Sequence, residues 1–486
     1  MRTTLSSELI ESRLSPLSPA NEAFLRRYPG DPPGRQPIHT VYGGAHLFRP
    51  NTAVRLGEKA IAAMEAFGPD PLTFARAVGL PRASALPVAG SDQGNALIEA
   101  FAADPRGLAD SKDATDQAVW LACTVYGRVQ EKLAREPVED FRIDFEDGFG
   151  LRPGDEEDAT ALAVSQALAK GFEDGTLPPH VGLRIKPLTE AHKARSLRTL
   201  DLCLTGLLEA TGGQLPPGFV ITLPKIQHRG QVETFVALLD EFESASGLAS
   251  GSLKLELMIE LAQNIVGLEG ESPLPGLFQA AGARCVGAHF GVYDYTASCG
   301  ITAAHQGMEH PACDFARSMM QVALAGTGIR ISDGATNILP VPPHPVGTDD
   351  PEQVRENAAV VHRAWRLAFE HTRHSLRSGI YQGWDLHPAQ LPVRYAANYA
   401  FFLESLAASS ARLSNFIEQA TKATLVGEVF DDAATGQGLL NAFARALACG
   451  AITAEEVEAT GLTVDEIQGR SFVEIMAARR GDEETA

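Results

Sequence analysis

The chain has 486 residues, 44% of them hydrophobic and 21% charged, an ordinary globular composition that can bury a full core. Its formal net charge of −20 argues against nucleic acid or an anionic membrane surface as partner, because phosphate contacts would be repelled overall. Six scattered cysteines with no CxxC pair, no apolar signal core at the N-terminus and no apolar run of membrane-spanning length together predict a protein of the reducing cytoplasm.

Residues 1–36 are polar and carry RRYPGDPPGRQP, so they are expected to form an N-terminal arm. The first predicted strand is IHTVYGGA (38–45), β-branched and aromatic and stopped by Gly43-Gly44. The stretch from about 46 to 138 holds apolar residues at i, i+3, i+4 spacing in AVRLGEKAIAAMEAFG and ATDQAVWLACTVYGRVQEKLA, and is too long for one crossover. It is expected as a helical insertion.

From residue 141 onward strand candidates recur roughly 30 to 50 residues apart, with helical patterns between them. They read FRIDFEDG (141–148), VGLRIKP (181–187), FVITLPK (219–225), LELMIE (255–260), VGAHFGVYD (286–294), IRISDG (329–334) and SGIYQGWDLHP (378–388). Eight strands in such an alternation predict an α/β chain with a (β/α)8 TIM-type barrel over residues 37–392, an open doubly wound sheet being the structural alternative. Beyond 392 the strand signal ends, and 393–486 reads as a helical C-terminal domain.

In a barrel the working residues stand at the carboxyl ends of the strands, and here most of the predicted strands close on charged groups. Glu260 and Asp294, at the tips of predicted strands five and six, are a pair of hard carboxylates suited to Mg²⁺, which takes one or two protein carboxylates and fills its octahedron with water and substrate oxygens. Each is equally suited to cap the helix that follows. Arg184, at the tip of the third strand, is expected to hold an anion, since an unpaired buried guanidinium is costly. Asp144, Glu146, Asp147 and Lys225 are expected to support it, and an ion pair between Arg184 and the acidic cluster is the bland alternative. Lys186 and Asp333 remain unassigned, and His305, His310 and Cys313 have a spacing that matches no common zinc site.

The segments DFED (144–147), LRIKP (183–187), LPKIQH (223–228), MIE (258–260), GVYDYTAS (291–298) and GWDLHPAQLP (383–392) together resemble, in order, the superfamily that joins malate synthases with the citrate lyase β-subunit-like lyases and aldolases. The resemblance implies a modified barrel that binds Mg²⁺, or Mn²⁺ in its place, through Glu260 and Asp294, with Arg184 stabilising an enolate oxygen. FDDAATGQ (430–437) is similar to the acidic segment in which malate synthases carry their base, so the resemblance makes Asp432 the expected base. By sequence alone Asp431 and Asp432 are an ordinary helix-capping pair.

The expected activity is that of a Mg-dependent carbon–carbon lyase or aldolase, cleaving or forming a β-hydroxyacyl compound, a CoA thioester among the candidates, or a hydroxy-oxo acid. Its partner would be a 2-oxo acid such as glyoxylate or pyruvate. A malate synthase-like condensing enzyme acting on glyoxylate and acetyl-CoA is the alternative, and a non-catalytic ligand-binding barrel is the alternative from another class. The relatives also imply a homo-oligomer.

Overall fold

The computed structural model describes residues 4–32, 34–422, 433–469, 471, 472, 474 and 475. Eight parallel strands close into one barrel in chain order: β1 (His39–Gly44), β2 (Asp140–Asp144), β3 (His180–Arg184), β4 (Phe219–Leu223), β5 (Lys254–Ile259), β6 (Cys285–Phe290), β7 (Arg330–Ala335) and β8 (Gln382–Asp385). The seam is formed by β1 and β8, where His39, Thr40 and Val41 pair with Gly383, Trp384 and Asp385. Closure rules out the open-sheet alternative.

Each strand is short and almost wholly buried, and it feeds a crossover helix such as Gly154–Glu173, Lys193–Thr211 or Arg229–Ser246. Those helices present an apolar stripe to the sheet, with Leu168, Leu204 and Phe235 each at most 1% exposed. Between β1 and β2 the chain makes five helices, the longest being Ala114–Arg135. Its N-cap Asp113 accepts from Thr115 and Asp116 N–H, and its buried face packs on the helix Leu391–Lys422. The insertion is thus an added helical layer beside the barrel.

The first residues form two helices, Ser7–Leu14 and Leu17–Arg27, neither of which buries a residue. After β8 the chain is helical, with Leu391–Lys422, Ala433–Cys449, Ala454–Glu458 and Val464–Gly469. No helix among the described residues is long and apolar enough to cross a membrane.

The barrel interior is polar through part of its depth. Arg142 on β2, fully buried, reaches across to Glu256 on β5 at 2.7 Å and holds Asp140 at 2.8 Å. Glu256 also accepts from Thr222 at 3.1 Å and faces His289 Nε2 at 2.9 Å. Burial alone would raise the Glu256 carboxyl, but Arg142 and His289 outweigh it and hold its pKa far below the usual range.

On the outer layer, Arg284 donates to both carboxylate oxygens of Glu243, at 2.7 and 2.6 Å, while Gly251 and Leu253 N–H donate to the same group. Burial opposes the charge, yet these donors bring the Glu243 pKa from 4.5 down to about 2. Because the unfolded chain binds the proton more readily, this stabilisation is complete above pH 4.5 and disappears as pH falls through about 2. Glu243→Gln, which leaves the buried Arg284 with only the exposed Asp240 as counter-charge, is expected to cost about 3 kcal/mol at neutral pH, the lower end for breaking a buried pair. Denaturant titrations at descending pH check this, since the gap to the wild type should close as acid protonates Glu243.

Candidate functional site

The DFED segment turns sharply after β2, and Asp144 makes that turn by accepting Glu146 N–H at 2.9 Å and Gly148 N–H at 2.7 Å. The end of β1 presses on the same turn, for a Cβ on Gly44 would come within 2.3 Å of the Gly148 carbonyl oxygen. Only glycine fits there.

Asp144 then meets Arg184 side by side, Nε to Oδ1 at 2.7 Å and Nη2 to Oδ2 at 2.5 Å. This fork uses two of the five guanidinium donors and fixes the plane of the group. The guanidinium lies 4.8 Å from the centre of the Tyr42 ring, which covers one face. Nη1 lies 3.1 Å from Glu146 Oε2 without the alignment of a hydrogen bond, and among the described residues it bonds only the Met258 sulfur, at 3.7 Å. The two anchored donors leave the Nη1 edge as the part of a buried cation able to take an anionic oxygen.

Lys225, just past β4, adopts a left-handed conformation with φ +47°, a strain on the order of 1 kcal/mol or more for a residue with a Cβ. That twist brings its N–H to Glu260 Oε1 at 2.6 Å and its Nζ to Glu146 at 2.5 Å, Asp147 at 3.2 Å and Asp294 at 3.7 Å. One residue therefore touches four predicted site residues, three through its side chain and Glu260 through its backbone N–H.

Glu260 stands just beyond β5 and is 1% exposed, whereas Asp294, in the first turn of the helix Val292–Ser298, has a side chain 42% exposed. Burial pushes the Glu260 pKa well above the carboxylate range, and the nearby Glu146 and Asp294 charges push it further, against Lys225 and Arg184. Glu146 is raised as well, chiefly by burial. Five carboxylates thus crowd two cationic side chains, and protons are the only relief the chain itself supplies.

A divalent cation fits that imbalance. Glu260 and Asp294 are hard oxygen donors, one buried and one open to water, and the cation would replace the proton on Glu260. Space is kept beside them by Gly291, where a Cβ would lie 2.8 Å from Glu260 Oε2. No group of three or more His, Cys, Asp or Glu placed to hold a metal exists among the described residues, so a cation here would draw its remaining ligands from water and substrate.

The structure therefore brings Asp144, Glu146, Asp147, Arg184, Lys225, Glu260 and Asp294 together at one rim. Asp432 lies outside the described residues. Lys186 points elsewhere, donating to Glu157 at 2.8 Å and to the Phe145 carbonyl at 2.9 Å. Asp333, fully buried, holds Arg317 Nε at 2.9 Å and accepts from Ser375 Oγ, so it braces β7 against the outer helices. His310 caps the helix Pro311–Leu324, and Cys313 is buried in packing.

Three aromatic neighbours stand outside the predicted set of site residues. His289 Nδ1 accepts from Trp384 Nε1 at 2.8 Å and lies 3.4 Å from the Tyr42 hydroxyl, which links β6, β8 and β1 beneath Arg184. Tyr42 stands next to Gly43-Gly44 at a strand tip, and an aromatic in that place was the one clue available.

These features define a parallel-barrel protein whose chemistry-bearing groups gather at the carboxyl rim. No curated protein matches the chain. It belongs to the family described as a domain of unknown function, DUF6986, which matches residues 17–475. Among solved structures it is similar to a citrate lyase from Burkholderia xenovorans LB400, at 18% identity over 69% of this chain and 92% of that one, with a TM-score of 0.49. It is also similar to a Haloferax volcanii malate synthase in a magnesium/glyoxylate complex (17% identity, 77% and 95% covered, TM-score 0.36). A third is the Mycobacterium tuberculosis protein CitE with magnesium and acetate (21% identity, 57% and 87% covered, TM-score 0.33).

Proposed function

We propose that the rim is the active site of a carbon–carbon lyase or aldolase that works through an enolate, with a 2-oxo acid such as glyoxylate or pyruvate as one partner and an acyl-CoA as the other. The observation that carries this reading is the buried Arg184, clamped by Asp144 and with an Nη1 that lies near Glu146 and Asp147 but donates an aligned hydrogen bond to neither, beside a surplus of carboxylates. A fixed donor of this kind is what developing negative charge on a carbonyl oxygen requires.

Glu260 and Asp294 would hold Mg²⁺, or Mn²⁺, and the ion when bound would supply Lewis-acid polarisation and a template for a 2-oxo acid. Arg184 would hold the enolate oxygen, with Asp144 fixing its plane and Tyr42 excluding water from one face. Lys225 would balance the acidic wall formed by Glu146 and Asp147. Asp432 would take the proton from the carbon next to the acyl group, or return it in the cleavage direction. Glu146 and Asp147 orient the cations and touch no reacting atom.

The malate synthase-like alternative rests on the FDDAATGQ segment (430–437). Incubation with Mg²⁺, glyoxylate and acetyl-CoA separates the two, because a condensing enzyme of that type ends in thioester hydrolysis and releases free CoA. A lyase leaves the thioester intact, so no thiol is released. The non-catalytic reading would require that no 2-oxo acid or acyl-CoA be turned over at any Mg²⁺ concentration.

A further inference from the structure

The opposite end of the barrel holds a constellation that the proposed chemistry leaves unused. A cavity of about 180 Å³ opens there among the first residues of the strands, including Asp140, His180, Lys254 and Gln382. Next to it lies a larger one of about 780 Å³, walled by the start of β7 and by the helices Leu391–Lys422 and Ala433–Cys449. Arg330, the first residue of β7, borders both.

The Arg330 side chain makes no hydrogen bond and no ion pair with any described residue. Burial strips water from it and pushes its pKa down, outweighing the charges of Asp31 and Glu256, neither of which pairs with it. The neighbouring carboxylate, Asp31, is engaged by Arg445 at 2.9 Å, and Arg445 itself lies 4.3 Å from the centre of the Tyr381 ring. In the lining of the larger cavity, Arg330 and Arg445 therefore face one carboxylate, in a chain whose net charge is −20. The imbalance is local and opposite in sign to the whole.

A second observation is independent of charge. Asn398 borders the larger cavity and is 1% exposed; its Nδ2 donates to the Arg394 carbonyl at 2.9 Å, while its Oδ1 has no hydrogen-bond donor among the described residues. Buried amide oxygens are ordinarily satisfied, so a missing donor points to a group that the protein does not itself supply. The rings of Tyr381 and Phe402, stacked at 10° and 6.2 Å, add an apolar wall.

We propose that this amino-terminal cavity binds a small organic anion, whose carboxylate or phosphate group pairs with Arg330 and whose hydroxyl or amine donates to Asn398 Oδ1. Arginine suits either oxyanion, since its fork meets two oxygens at once. The volume lies within the range of small-molecule sites, and the mixture of apolar wall and a few fixed polar groups is their usual chemistry. The site is at the far end of the barrel from Glu260 and Arg184, so it stands whether or not the rim chemistry is as proposed.

The test titrates the full chain with inorganic phosphate and, separately, with succinate, following heat of binding and thermal shift. At least one probe should bind and raise Tm, phosphate alone indicating a phosphorylated ligand and succinate alone a carboxylate. Arg330→Gln should weaken that probe about tenfold or more, the scale of a lost charge-assisted bond, and should leave the ligand-free Tm unchanged or higher. Ala448→Trp, which fills the larger cavity and keeps Arg330, should give the same loss. The proposal is overturned if neither probe binds the wild type, or if both variants bind as the wild type does.

Discussion

Glu260→Ala is expected to lower Mg²⁺-dependent turnover by about 10³-fold, the loss of several kcal/mol of Lewis-acid stabilisation. The same substitution should leave the metal-free protein at least as stable as the wild type. Its carboxyl has a folded pKa well above the unfolded 4.5, so between those values the native state holds a proton that the unfolded state has released. Stability contributed by that proton is present at low pH and lost as pH rises through the folded pKa, so above 4.5 the buried carboxyl becomes a growing burden on the metal-free fold. In EDTA, therefore, the Tm of Glu260→Ala at pH 7 should match or exceed that of the wild type, while added Mg²⁺ should raise only the wild type. A variant that is stable, folded and inactive separates a metal-site role from a structural one.

Arg184→Gln is expected to reduce kcat/KM by about 10²- to 10³-fold, the usual result of removing one fixed donor to an oxyanion. It should also destabilise the fold, because Asp144 is 1% exposed and would lose its counter-charge, a change of about 3–5 kcal/mol when one member of a buried pair is removed. Two backbone N–H groups remain on Asp144 and place the value toward the lower end. Adding Asp144→Asn to Arg184→Gln removes the stranded charge, so thermal stability should recover while activity does not. Arg184→Lys keeps the charge but not the fork, and is expected to fall between the two. Recovery of both stability and activity in the double variant would mean that Arg184 matters only to the fold.

The barrel was legible because the apolar strand runs, each stopped at its tip, carry their own boundaries and recur at crossover spacing. The tips were legible for the same reason: a carboxylate or guanidinium that follows a fully buried strand has little room to be incidental. What the sequence could not supply was pairing across large separations. Asp333 has the same local signature as the other tips, yet it is committed to Arg317 and Ser375 on two outer helices. Lys186 likewise follows β3 as Arg184 ends it, and strand alternation turns it toward Glu157. Tyr42 and Trp384 meet only because the β1–β8 seam closes, which no local pattern encodes. The left-handed twist at Lys225 is illegible for a related reason, since it is stabilised by contacts to Glu146 and Glu260 rather than by its own residue type.

The most direct test of the central claim is a Mn²⁺ titration of the wild type, Glu260→Ala and Asp294→Ala, followed by the electron paramagnetic resonance signal of free Mn²⁺. The rim predicts one bound ion per chain in the wild type, displaced by excess Mg²⁺, and a strongly weakened site in both variants. Wild-type affinity retained in both variants, or no binding by the wild type, would contradict it.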